Sequence, residues 1–394
     1  MDKLLITGST FPRWKGDTEP RFILDYAKAM TKYYEVHVLV PMAPGARENE
    51  DMEGVHVHRF HYFPIHKCET LCYPGAIVPR IKEKKIRVFL VPFLFASMKS
   101  AVRKWSKKVD IVHAHWLIPQ GIVQSGIKST PYIITGHGGD VTSLNVPIVK
   151  GMKKKCLERA AATVGVSSYI CQKMKEICPD VTPTMISMGC DLDKFTPEKR
   201  NEHIFDHAHK NILFVGRLAE KKGVTYLIEA MKQIDAKLYI IGKGPLEQSL
   251  KEQAKALGEK VVFLGPKSHD ELPELMASAD LFVAPSIVAQ DGDQEGLPVS
   301  IMEAMASGLP VVAGISGGTK DIVADGVNGY VLDAKNVQLL VQKINDIVCN
   351  DELQREMSKG AIKTAQEYSY DTIGQKYFDL IRNNVDNKKG ECDN

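Results

Sequence analysis

No uninterrupted apolar run in this chain approaches the ~20 residues that a membrane-spanning helix needs. The longest, residues 88–96, is broken by Pro92, which excludes a transmembrane anchor. Paired cysteines are also missing. The eight cysteines, at positions 68, 72, 156, 171, 178, 190, 349 and 392, form no paired C-x2-C units, so neither a zinc framework nor a disulfide scaffold is expected. Free thiols in a reducing compartment fit this usage. Charge of one sign is scarce as well. Lys plus Arg number 51 against 48 Asp plus Glu, a net +3 that by itself gives no reason to expect a nucleic-acid partner. The first ten residues have no basic segment or apolar core of a secretory leader, and the expected location is therefore the cytoplasm.

What is present is a globular composition, 44% hydrophobic and 25% charged. Its 394 residues are too many for one ordinary core, and two lobes are expected. Short β-rich runs at 3–6, 35–40, 55–60, 110–115, 132–135 and 163–166 are mostly separated by helical segments, the first of them at 21–32. The pattern lapses over 190–210 and resumes with strands at 211–215, 237–241, 261–263, 281–284 and 310–313. Helices at 224–231, 245–257, 270–277 and 298–306 fall between these strands. Such alternation predicts an α/β protein of two Rossmann-like, doubly wound domains facing across a cleft. The expected division is an N-terminal domain over 1–190, a linker over 191–210 and a C-terminal domain over 211–370. A final helix at 371–382 would pack back on the first domain, with a disordered tail from about Asn383.

The stretch 290–310, QDGDQEGLPVSIMEAMASGLP, carries the densest chemistry. Pro298 suits a first helical position, and Val299, Met302 and Met305 repeat at helical spacing before Gly308 and Pro310 close the segment. The amides of Leu297, Pro298's neighbour Val299, and Ser300 would then open a helix N-terminus, a natural seat for phosphate. Glu295 and Glu303 bracket it. At the end of the second lobe's first strand, VGRLAEKKG places Arg217 and Lys222 on the edge where that helix should begin, a planar fork and a point charge suited to a diphosphate. Each feature alone would equally suit a solvated loop or an ordinary helix.

Together, VGRLAEKKG, IIGKGPLEQSL, FLGPKSHDEL and EGLPVSIMEAMASGLPVVA resemble the nucleotide half of the family-four retaining glycosyltransferases of GT-B fold, closely over the second lobe and loosely over the first. The resemblance implies that Arg217 and Lys222 grip the donor diphosphate, Glu295 contacts the donor sugar and Glu303 hydrogen-bonds the ribose. It also places Gly242, Gly265, Pro266, Leu297, Pro298, Val299 and Ser300 in the donor site. His137, in TGHGGD after the strand 132–135, matches the family's sugar-contacting histidine, although a satisfied core histidine would look the same. Gly8 and Gly16 stand in the loop that in the family approaches the diphosphate, without the usual Gly-Gly pair. DGDQEGLP further resembles members that build exopolysaccharides and lipid-linked glycans. The implied activity is retaining, metal-independent transfer of a sugar from a UDP- or GDP-sugar to a glycan or lipid-linked acceptor, with no cofactor. Catalytic roles would fall to Glu295, His137, Arg217 and Lys222. A small soluble acceptor, or a non-catalytic sugar-nucleotide-binding protein, are the alternatives.

Several other motifs point elsewhere. Asp291-Gly292-Asp293 reads like a D-x-D metal motif, but it belongs to a different fold, and no catalytic metal is expected. Gly242-x-Gly244 lacks the third glycine of a dinucleotide fingerprint. His56, His58, His61 and His66 would serve a metal or simply line the faces of the first lobe. Residues 80–108 combine ten Lys or Arg with one acidic residue and a bulky apolar centre. That composition fits either an anionic membrane surface or a helix pair with its basic side in water.

Overall fold

The computed structural model describes residues 1–206 and 208–386. The chain divides into two compact units, the first formed by residues 1–187 with the described residues from Tyr370 onward and the second by Met188–Ser369.

In the first unit eight strands follow one another in sequence: β1 (Lys3–Thr7), β2 (Glu35–Pro41), β3 (Asn49–Met52), β4 (Val55–Phe60), β5 (Ile111–His115), β6 (Tyr132–Gly136), β7 (Ala162–Gly165) and β8 (Thr184–Met185). They form one sheet in the order β3-β4-β2-β1-β5-β6-β7-β8, parallel except for β3 against β4. β1 lies in the middle because Leu4, Leu5 and Ile6 are apolar on both faces and fully buried. The chain builds outward from β1 in one direction through β2 and in the other through β5. The gap between β1 and β5 is therefore the switch point, beyond whose carboxyl ends ligands bind in open α/β sheets.

The second unit repeats the design with six parallel strands: β9 (Asn211–Val215), β10 (Lys237–Ile241), β11 (Val261–Gly265), β12 (Leu281–Ala284), β13 (Val311–Gly314) and β14 (Gly329–Leu332). Their order is β11-β10-β9-β12-β13-β14, which sets the switch point between β9 and β12. Helices cover both faces and bury two apolar clusters, one around Leu227, Leu238 and Ile344 and the other around Phe282, Met302 and Met305.

The segment 191–210, expected to link the units, belongs to the second one. Phe195 and Phe205 are buried in its core, and the Thr196 side chain caps the turn Pro197–Lys199. The last helix, Tyr370–Ile381, belongs to the first unit and packs on the helix Phe22–Met30. Tyr377 is fully buried there, with its ring 4.9 Å from Tyr26 and its hydroxyl 3.2 Å from Thr135 Oγ1. The tail expected to be disordered from Asn383 continues as a helical turn, Arg382–Asp386, and the remainder lies outside the described residues. Among the described residues all seven cysteines are free thiols.

The basic side expected over 80–108 turns out mixed. Over 80–108 the helix Val91–Trp105 buries Leu94, Met98 and Val102, one side of three turns, while Ile86, Phe89 and Phe93 project outward. Arg87, counted on the basic side, is instead buried and donates to the Arg80 carbonyl (2.7 Å) and to Thr70 Oγ1 (3.2 Å). The four histidines pack with aromatic and acidic neighbours. His58 lies 4.0 Å from Trp105 between ring centres, and His61 meets Glu69 at 2.7 Å.

Candidate functional site

Each unit brings part of the sequence-predicted set together at the carboxyl edge of its sheet. In the second unit the loops after β9 and β12 flank the switch point and are held against one another by backbone amides of the second loop. The amide of Ile287 donates to the Lys221 carbonyl (2.8 Å), and that of Gln290 to Glu220 Oε1 (2.9 Å). Gly223 has φ +64° and stands where a Cβ would lie 1.9 Å from the Pro285 carbonyl oxygen, so only glycine fits. Gly317 does the same for the loop after β13, with its Cβ position 1.9 Å from the Glu295 carbonyl oxygen.

These contacts carry Lys222 to Glu295, Nζ to Oε2 3.1 Å. The two residues were expected to touch different parts of one ligand; in this structure they face each other. Lys221, absent from the expected set, completes the arrangement. Its Nζ lies 3.3 Å from Glu295 Oε1 and 3.2 Å from Asp293 Oδ2. The first of these is an ion-pair distance without hydrogen-bond alignment, so Oε1 keeps an acceptor site open. Burial works against the charge on Glu295, but Lys222 and Lys221 outweigh it and hold the carboxyl at about 2. Burial likewise opposes the charge of Lys221, and Glu295 and Asp293 raise its pKa above the ordinary lysine range.

Arg217 is exposed, and its guanidinium makes no hydrogen bond or ion pair among the described residues. Gly242 closes on the residue beside it, its Cβ position 1.9 Å from the Gly216 carbonyl oxygen, and donates its amide to Gly265 (2.9 Å). Pro266 follows, exposed. The helix begins at Val299, one residue later than expected, because Pro298 has extended backbone (ψ 119°). No side chain caps it, so Val299 and Ser300 open the first turn, while Leu297 stands just ahead of Pro298. Glu303 points to His269, Oε1 to Nε2 3.1 Å. His269 is a further residue the sequence reading missed; its Nδ1 is buried without a partner.

In the first unit His137 follows β6. Its amide and that of Gly138 donate to Asp140 Oδ1 (3.1 and 2.8 Å), and Asp140 Oδ2 also accepts from Leu117 (2.8 Å). The His137 ring stands 4.9 Å from Trp116 and 5.6 Å from Phe22 between centres, and its Nε2 lies 2.9 Å from His115 Nδ1. That enclosure lowers its pKa to about 3. Gly8, after β1, meets the same cluster, its Cβ position 3.3 Å from Trp116 Cζ3. Gly16 stands apart from it in an exposed turn (φ +82°) next to Asp17, which grips Arg13 at 2.8 and 2.9 Å. His113 and His115, alternate residues of β5 and fully buried, were also missed, although the HAH spelling places both on one sheet face.

The depressed Glu295 pKa fixes a pH signature. Its folded value of about 2 lies below the unfolded 4.5, so the stabilisation is complete above pH 4.5 and lost as pH falls toward 2. Glu295→Gln is expected to destabilise the second unit by about 3 kcal/mol at pH 7. In urea unfolding the gap should hold down to about pH 4.5 and narrow below it. A gap at pH 3 as large as at pH 7 would refute this ionic account.

Residues 195–364 match the family model described as glycosyl transferases group 1, and residues 20–194 match that of glycosyltransferase family 4. An uncharacterized glycosyltransferase of Methanocaldococcus jannaschii is 30% identical over 68% of this chain and 73% of its own length. The amylovoran biosynthesis glycosyltransferase of Erwinia amylovora is 37% identical over 40% of this chain and 42% of its own. Among solved structures, the sucrose-phosphate synthase of Thermosynechococcus elongatus superposes with a TM-score of 0.79 at 18% identity, covering 97% of this chain and 99% of the other. HepE of Anabaena in complex with UDP-glucose gives 0.71 at 18% identity, over 97% and 100%. With both family models matched in order and two Rossmann-like units in place, the chain belongs to the family-four, group 1 glycosyltransferases of GT-B fold.

Proposed function

We propose that this protein transfers a sugar, with retention of configuration, from a UDP- or GDP-sugar to a glycan or lipid-linked acceptor in the synthesis of cell-surface polysaccharide or glycolipid. The observation that carries the reading is the Arg217 guanidinium without a partner among the described residues, the Lys222–Glu295 pair and the uncapped helix start at Val299, all in segments at the carboxyl ends of strands of one sheet. The amylovoran relative and the UDP-glucose complex of HepE support the polysaccharide and nucleotide-sugar parts of it.

In this reading the bond between the anomeric carbon and the diphosphate oxygen breaks while the acceptor oxygen bonds to the same face of the sugar. A phosphate oxygen takes the acceptor proton, and the nucleoside diphosphate leaves with the added negative charge. Arg217, Lys222 and the amides of Val299 and Ser300 stabilise that charge as it develops. Glu295, ionised at any physiological pH, accepts from sugar hydroxyls, and Glu303 from the ribose. His137 contacts the donor sugar, and the Gly8–Gly16 loop approaches the diphosphate. The cations do the work that a metal would otherwise do. Asp293 is engaged by Lys221, and Asp291 Oδ1 accepts the Asp293 amide (3.0 Å), which supports a metal-independent reaction.

Titration with a panel of UDP-, GDP- and ADP-sugars identifies the donor, and Arg217→Ala should weaken diphosphate binding by ~1.5–3 kcal/mol through loss of a charge-assisted bidentate contact. Unchanged affinity would remove Arg217 from the site. The NMR spectrum of the isolated product should show an α-linkage from an α-linked donor, with activity intact in chelator. A β-linked product would exclude retention, and activity lost in chelator and restored by manganese would assign Asp291 and Asp293 to a metal.

The reading includes peripheral attachment to an anionic membrane. No described helix is long and apolar enough to cross one. Ile86 and Phe89 are 73% and 71% exposed beside exposed Lys82, Lys84 and Lys85, which supports insertion of apolar side chains framed by cations. Anionic vesicles should sediment the protein at low salt and release it as salt shortens the Debye length to ~8 Å. Reversing Lys82, Lys84 and Lys85 to Glu should abolish the effect. An absence of binding at low salt would make the segment an ordinary solvated face.

A further inference from the structure

The buried histidine beside His137 has a hydrogen-bonding requirement that fixes which nitrogen of His137 carries the proton. His115 is fully buried, and its Nδ1 lies 2.9 Å from His137 Nε2. Its other nitrogen, Nε2, is buried with no hydrogen-bond partner. The neighbouring His113 differs in this respect. Its Nδ1 meets the Tyr26 hydroxyl at 2.7 Å and its Nε2 meets Thr135 Oγ1 at 2.8 Å, so both of its nitrogens are engaged.

A hydrogen bond between two neutral imidazoles needs an N–H on one ring and a lone pair on the other, which leaves two arrangements. If His137 Nε2 donated, His115 would accept at Nδ1 and carry its own proton on Nε2, an N–H buried with nothing to receive it. If His115 Nδ1 donates, its bare Nε2 leaves only an unfilled lone pair. Buried donors are rarely left unpaired in native structures, and the second arrangement is favoured. Burial keeps all three rings neutral by lowering their pKa values, so no doubly protonated form intervenes.

We propose that His115 is a positioning residue that holds His137 in the Nδ1–H form, with Nε2 capped from below and the Nδ1–H turned out as a hydrogen-bond donor to the ligand. The donor would be directed at an acceptor oxygen, such as a sugar hydroxyl or phosphate oxygen. Among the described residues that nitrogen has no protein partner. The phenyl ring of Phe22 and the indole of Trp116 fix the plane of the imidazole, and His115 fixes its tautomer.

The functional half of this inference rests on His137 contacting the donor; the tautomer itself does not. Long-range proton–nitrogen correlation spectra of the full chain labelled with 15N-histidine, assigned with His137→Asn and His115→Asn, read it directly. The expected result is Nδ1–H on both His115 and His137 in the wild-type protein. An Nε2–H signal on His137 would overturn the proposal without any variant having to fold. His115→Phe keeps a ring but removes the donor, and should release His137 to the other tautomer and lower kcat about tenfold, with nucleoside diphosphate affinity unchanged. His115→Asn, whose amide can donate from nearly the Nδ1 position, should restore the Nδ1–H signal and most of kcat. Wild-type kcat in His115→Phe with the tautomer shifted would refute the positioning role. Wild-type kcat in His137→Ala would instead refute the assignment of His137 to the donor site, leaving the tautomer result standing.

Discussion

Parallel strands place every carboxyl end of a sheet on one edge, and the chemistry of the second unit depends on that constraint. The strands alone, however, would leave the loops at ordinary separations. They are drawn into contact by glycines set against carbonyl oxygens, Gly223 on Pro285 and Gly317 on Glu295, at distances no Cβ could survive. With the backbones touching, Lys222 and Glu295 meet at 3.1 Å although 73 positions separate them, and Lys221 is carried in alongside. The resulting site is electrically almost closed without a ligand. Arg217 is the exception, its guanidinium exposed and unengaged among the described residues.

The first unit uses the same edge differently. Its site is an aromatic and imidazole cluster with little formal charge: His137 against Trp116 and Phe22, backed by His115 and His113. Asp140 sets the loop by collecting three backbone amides, and so works as a local hub rather than a reacting group. One unit thus presents cations and amides, and the other neutral rings.

How much of this the sequence disclosed depended on how local each feature was. β9, β10 and β12 were legible to the residue because each is a short apolar run buried on both faces. β3 was not, since NEDM is polar and pairs only as an antiparallel edge beside β4. β8, two exposed residues, gave no pattern at all. The helices Val337–Val348 and Asp351–Gln366 did announce themselves, with Asn336 and Asn350 accepting from the third residue beyond, a signal that could have been read. The positions of Arg217, Lys222, Glu295, Glu303 and His137 were marked by motif, but their partners were not. Lys221, Asp293, His269 and His115 act through contacts between distant segments, and a linear pattern does not show which distant segments meet.

The division of the chain has a consequence for its biosynthesis. The second unit, Met188–Ser369, is an insertion into the first, whose closing helix Tyr370–Ile381 is made only after the whole of the second unit. Tyr26, on the helix Phe22–Met30, finds part of its permanent neighbourhood in Tyr377, 351 positions later. Domains commonly fold as units in the order they are made. Here the first unit begins first, yet the inserted unit is synthesised before the first can complete the Tyr26 and His113 side of its sheet. The Tyr26 and His113 side of that sheet therefore stays without its Tyr377 cover until the helix Tyr370–Ile381 has been made, which comes after every residue of the second unit.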